Sequence, residues 1–138
     1  MTTSTLDKEE RSLQRIRMRF AYERLKGLSG GKDIKAKLKG LPVALRMNGL
    51  AVVGAQLCAS SEYKHRAIGK ILAEWLLDGC PVKPLTSMGS PSRENPLKTF
   101  LDACISAKRT EYEAAQAEAL AFLEQAKLIA EALWAEDR

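Results

Sequence analysis

Histidine occurs once in these 138 residues, as His65, and the chain has no Walker A pattern, no G-x-S-x-G, no H-E-x-x-H and no metal-spaced carboxylate cluster. Without such convergent groups we expect a protein that is not an enzyme, with no catalytic residue, no cofactor and no metal. His65 sits in Tyr63-Lys64-His65-Arg66 and reads as a surface or phosphate-contacting residue, because no carboxylate is in evidence to orient it as a base. The three cysteines, Cys58, Cys80 and Cys104, are odd in number and widely spaced, with no C-x-x-C pair, which argues for buried thiols rather than a disulfide framework or metal site. Long apolar runs are also missing. No segment could span a bilayer or serve as a signal peptide, so a cytoplasmic protein with no membrane contact is expected.

What is present is the composition of a soluble globular chain, 46% apolar and 28% charged. A length of 138 residues suits a single domain, 1–138, able to build a core without disulfides. The net charge of +5 conceals an asymmetry: residues 1–70 hold 15 Lys and Arg against 6 Asp and Glu, whereas the remainder holds 7 against 11. Such a split suits one face turned to a polyanion and another to protein or solvent.

Sustained alternation of polar and β-branched residues is absent, and the apolar residues recur at helical spacing. A first helix is predicted from a capping signal at Ser4 and Asp7 to about Gly27, followed by a turn over Leu28 to Gly31. A second starts with Asp33 as its cap and carries Ile34, Leu38, Leu41 and Leu45 on one side. Gly40 and Pro42 interrupt that pattern and predict a kink or a fresh first turn, and Asn48-Gly49 should close the segment. A short apolar helix from Leu50 to about Ala59 follows. A longer one from Ser61 to Asp78 buries Ile68, Leu72, Trp75 and Leu76 and stops at Gly79. Four of the five prolines fall between Pro81 and Pro96, marking a loop over about 80–95. Asn95-Pro96 then opens a fifth helix to about Ala107. Thr110 and Glu113 form a capping box for the last, in which Tyr112, Ala115, Ala119, Phe122, Ala126, Ile129 and Leu133 make an inward seam, and Glu111, Glu113 and Glu118 read as its solvated side. The expected fold is all-α, a compact bundle of about five to six helices with a long C-terminal helix.

The first helix carries the most functional information. At about 100° per residue, Leu13, Ile16 and Phe20 share one side, while Arg11, Arg15, Arg19, Tyr22 and Lys26 fall within about 80° on the other. Guanidinium groups one turn apart can follow successive phosphates, and a tyrosine among them can stack on an unpaired base. Lys32, Lys35 and Lys39 share a side of the second helix, Arg46 lies beyond, and Lys64, Arg66 and Lys70 open the fourth. Arg17 and Arg24 fall near the apolar side and await acidic partners, inside the fold or across a subunit contact.

Three segments together resemble the small-subunit family of type III-B CRISPR (Cmr) RNA-silencing complexes. They are Lys39-Gly40-Leu41-Pro42 running to Asn48-Gly49-Leu50, then Glu74-Trp75-Leu76, and finally Glu111-Tyr112 with Ala117 to Leu123 and Lys127. Gln125 and Leu128 depart from the family pattern, where tryptophan and a basic residue are usual. The resemblance spans roughly Arg11 to Ala132. It implies a non-catalytic helical subunit of an antiviral ribonucleoprotein that stacks with further copies of itself, contacts the backbone and large subunits, and lines a channel for the guide RNA–target RNA duplex. The residues expected to bind RNA are Arg15, Arg19, Tyr22, Lys26, Lys39, Arg46, Lys64 and Arg66. Competing readings are a helix-turn-helix DNA-binding regulator built around Asn48-Gly49 and a purely structural helical adaptor. Against the regulator, Leu50 to Ala59 is too apolar for a recognition helix.

Overall fold

A computed structural model describes the backbone of residues 3–85 and 96–135 and the side chains of residues 12–85 and 97–135. The described chain forms helices α1 (Thr3–Leu25), α2 (Gly31–Asn48), α3 (Leu50–Ala59), α4 (Tyr63–Glu74), α5 (Pro96–Ser106) and α6 (Arg109–Leu133), with no strand among the described residues. The fold is therefore all-α. A long C-terminal helix is present, α6 measuring about 37 Å at 1.5 Å per residue.

The amphipathic faces pack around α6. Its 25 residues run parallel to α1, since Arg17 meets Glu118 and Phe20 meets Phe122. Helix α2 runs the other way, with Gly31 against the Trp134 indole and the residue after its end, Leu50, at Gln116. Helix α4 also opposes α6 and places Trp75 on Phe122, ring centroids 5.0 Å apart and nearly coplanar at 16°. Phe20 closes this trio from α1, 5.2 Å from Trp75 and 6.0 Å from Phe122. Helices α3 and α5 pack on each other and on α4, where Gly54 admits the Phe100 ring and Gly69 admits Leu97. One continuous apolar core contains Trp75, Phe100, Phe122 and the buried leucines of α1 to α4.

Several local expectations are corrected. Asp33 is not the cap of α2: Gly30, in the left-handed conformation at φ 71°, turns the chain three residues earlier and puts Asp33 in the first turn. The helix then continues through Pro42 with no new start. Ile34, Leu38, Leu41 and Leu45 are all buried with Pro42 itself, and that burial offsets a cost of about 3 kcal/mol for a proline inside a helix. The capping box of α6 does not form either. Lys108, in extended conformation, precedes the helix with no side-chain cap, Thr110 lies within its first turn, and Glu113 pairs with Arg109 at 3.0 Å. Ser4 is not the cap of α1, because the helix already includes Thr3, while Asn95 and most of the 80–95 loop lie outside the described residues.

The predicted end of the fourth helix at Gly79 is observed, by an unpredicted route. Residues Trp75–Gly79 form a π turn in which the Cys80 amide donates to the Trp75 carbonyl at 2.8 Å. The wider turn buries Trp75, Leu76 and Leu77 in succession. It also brings Gly79 so close to Phe20 that a Cβ there would lie 2.5 Å from the ring.

Candidate nucleic-acid interface

The inward face of α1 is displaced from the side that Leu13, Ile16 and Phe20 mark: Leu13 and Phe20 pack on the core, but Ile16 does not. Ile16 is 37% exposed, whereas Arg17, Ala21 and Leu25 are buried. Arg17 reaches Glu118 through two bonds, Nε to Oε2 at 2.7 Å and an Nη to Oε1 at 2.8 Å, a bidentate pair with both side chains 8% exposed. The Trp75 indole N–H donates to the same carboxylate at 3.1 Å. Glu118, expected on the solvated side of α6, is thus corrected to a buried anion that collects donors from α1 and from the π turn that ends α4. No periodicity announces it, because its partner lies 101 residues away in sequence. Arg24 also pairs with an acid, Glu74 of α4 at 2.8 Å, and lies over the Phe20 ring, but its side chain stays 48% exposed.

With Arg17 buried and Arg24, itself exposed, tied to Glu74, the other cations among the described side chains of this helix point outward. Arg15, Arg19, Tyr22 and Lys26 are all exposed on one strip of this helix. Arg15 and Arg19 make no ion pair with another described residue. Lys26 is held at 2.9 Å by Glu23, whose carboxylate raises the lysine's pKa, and its ammonium sits 5.2 Å from the centre of the Tyr22 ring. One face of Tyr22, 44% exposed, is therefore covered by a cation in the unliganded chain. The side chain of Arg11 lies outside the described residues.

The other predicted residues sit on α2 and α4. Lys39 is exposed, as is Lys32, while Lys35 is drawn in to donate to the Trp134 carbonyl at 3.0 Å. Arg46 is exposed but engaged by Glu124 of α6 at 3.2 Å, beside an open groove of about 220 Å³ between α2 and α6 lined by Leu45, Glu113, Gln116, Ala117 and Leu120. Lys64 is half-buried and Arg66 exposed at the start of α4. Leu25, Leu38, Ile68 and Ala126 line one small void, where the end of α1 meets the middle of α2 and α4 and the second half of α6. Lys26 follows the last residue of α1, and Lys64 and Arg66 lie in the first turn of α4. Arg46 lies toward the end of α2, where it meets α3.

The motif residues meet in space. Gly49 alone separates α2 from α3, with φ 87° and ψ 162°, a conformation open essentially only to glycine. The first two amides of α3 then point at α6, where Gln116 Oε1 accepts from Leu50 at 3.1 Å and the Tyr112 hydroxyl accepts from Ala51 at 2.9 Å. Donors that a helix start leaves unsatisfied are thus capped by side chains more than sixty residues away. His65, in the first turn of α4, is held from the α3–α4 connection by the Ser60 hydroxyl and by Glu62 Oε2 at 3.1 Å, the carboxylate that the sequence did not reveal. Among the described residues no group of three His, Cys, Asp or Glu could hold a metal, and no helix is long and apolar enough to cross a membrane.

The fold and this surface define a class: an all-helical domain presenting a cationic, tyrosine-bearing helix face, with its buried charges satisfied internally. Residues 13–133 match the model of the family described as CRISPR-associated protein (Cas_Cmr5). The chain belongs to that family and is a small CRISPR-associated subunit of the Cmr type. Neither a curated protein nor a solved structure matches it.

Proposed function

We propose that the chain is a non-catalytic subunit of a type III-B Cmr ribonucleoprotein acting in antiviral defence in the cytoplasm, and that it binds target RNA through the outward face of α1. Arg15, Arg19 and Lys26 contact phosphates, and Tyr22 offers a stacking surface once Lys26 swings from its ring to a phosphate. Lys39, Arg46, Lys64 and Arg66 extend the contact, Arg46 after leaving Glu124. Further copies of the chain and the backbone and large subunits complete the channel around the guide RNA–target RNA duplex.

The observation that carries this reading is the sorting of charge on one helix. Arg17 turns inward to Glu118 and the exposed Arg24 is tied to Glu74, while Arg15 and Arg19 stay outward and make no ion pair among the described residues. A merely solubilising surface has no need of that division. Changing Arg15 and Arg19 together to Ala should weaken binding of the assembled particle to RNA of any sequence, and lower the salt slope of log K by about one per lost phosphate contact. Unchanged affinity and slope would remove α1 from the RNA path. The regulator reading fares worse, since α3 buries Leu50, Val53, Gly54 and Leu57 and offers few polar side chains to base edges. An adaptor role predicts instead that the chain stays with its partners after nuclease treatment and that the particle binds RNA equally well without it.

A further inference from the structure

Helix α2 is apolar on two sides. Ile34, Leu38, Leu41 and Leu45 are buried in the core, and on the opposite side Ala36, Gly40, Val43 and Met47 fall within about 60° of one another. All four of these outer residues are exposed, Val43 at 55% and Met47 at 78%. The neighbouring α6 repeats the pattern. Along its outer side Ala114, Ala117 and Leu128 are exposed and Ala121 is half-buried, with 54% of Leu128 open to solvent. Leu128 stands where the family pattern has a basic residue, so this row is a feature of the present chain. Phosphates offer nothing to valine, methionine or leucine, and protein is the occupant that such rows fit.

The charges on the two helices indicate which protein. Helix α2 carries five Lys and Arg to one Asp, whereas α6 carries five Glu to two Lys and Arg. Their sequences already suit each other inside one chain, where Arg46 pairs with Glu124. The two outer rows of one chain both face solvent, however, and cannot cover each other. We infer that the outer row of α2 docks on the outer row of α6 in a second copy of this chain. Within the chain these helices are antiparallel and level, with Gly31 beside Trp134 and Leu50 bonded to Gln116. A two-fold axis along them preserves that level and makes the contact twice. Gly40 then lies near Leu128 of the second copy and Met47 near its Ala117, a large side chain against a small one at each level. Lys32 comes within reach of Glu131, and such flanking charges fix partner and register. The contact gives a surface to the copy-to-copy association proposed above and rests on that part of the reading; it makes no use of RNA.

The test mixes two full-length chains, one carrying Val43→Cys and the other Ala121→Cys, under mild oxidation. Peptide mass spectrometry then identifies each disulfide, so that links through Cys58, Cys80 or Cys104 are counted separately. Links from position 43 to position 121 should form several-fold faster than links from 43 to 43, or from 43 to a thiol introduced by Lys70→Cys on the exposed side of α4. Adding Met47→Asp to the first chain, at a side chain already in water, should slow the 43-to-121 link several-fold while the helical dichroism is unchanged. Lys32→Glu in the first chain should slow it too, and Glu131→Lys in the second should restore it. Equal rates at all three pairs of positions, or a rate indifferent to Met47→Asp, would overturn the inference. So would protection of the thiol at position 43 from alkylation in the assembled particle with no link between copies, which would give the face to a different subunit. Because the mixture contains no RNA, the contact can fail while the RNA role of α1 stands, and the Arg15 and Arg19 variant can fail while the contact stands.

Discussion

Replacing Gly49 by alanine tests the α2–α3 corner most directly. Its backbone, at φ 87° and ψ 162°, lies where an alanine is strained by about 1–3 kcal/mol. The new Cβ would also stand 3.2 Å from the Tyr112 hydroxyl and 3.4 Å from Gln116 Oε1, the two atoms that cap α3. Displacing either forfeits a hydrogen bond of about 1 kcal/mol. Together these give a loss of about 2–4 kcal/mol, or a fall in Tm of about 8–15 °C for a chain of this size. Gly40 is the internal control: it is exposed in the same helix, and a Cβ there would meet nothing within 4 Å. Gly40→Ala should therefore stabilise by about 0.5–1 kcal/mol, the opposite sign within nine residues. Urea denaturation followed by circular dichroism reads both. A cycle with Tyr112→Phe adds a third reading, since that change should cost about 1 kcal/mol in the parent and less in the Gly49→Ala background, where the bond is already lost. A Gly49→Ala loss below about 0.5 kcal/mol, or a Gly40→Ala that destabilises, would refute the account of this corner.

Three further outcomes are expected. Phe122→Ala removes the ring stacked on Trp75 and should cost about 3–5 kcal/mol in urea denaturation, with a red shift of Trp75 emission. Gly79→Ala forces a Cβ into the Phe20 ring and should cost about 1–3 kcal/mol through overpacking, seen as a lower Tm and an altered near-ultraviolet dichroism band. Burial pushes the Cys104 thiol from its ordinary 9.0 up to about 12, so between those values the folded chain holds a proton that the unfolded chain releases. Its contribution is full below pH 9 and is lost as pH rises toward 12, so Cys104→Ala should show a shallower alkaline decline in stability than the parent.

The helices themselves were legible because helical periodicity is local. Three- and four-residue spacing located the six helices, the stop at Gly79 and most of the seam of α6, including Ala115, Ala119, Phe122 and Ala126. Boundaries were less legible where a cap could be supplied by several neighbours, as at Asp33 and Thr110, since the backbone conformation of one adjacent residue decided between them. The outward cations of α1 could likewise be read from spacing, and all four described residues of that strip are exposed.

What only tertiary structure decided is the environment of charges whose partners are distant in sequence. Glu118 looks like any other acid on a long helix until α1 brings Arg17 and the π turn after α4 brings Trp75 to it. The same holds for Tyr112 and Gln116, which read as ordinary helix residues and act as caps for α3. Periodicity records which side of a helix prefers oil to water, a property of neighbours three and four positions apart. It carries no information about a buried polar contact made across a hundred residues, such as the one that sets Arg17 in the core beside Glu118.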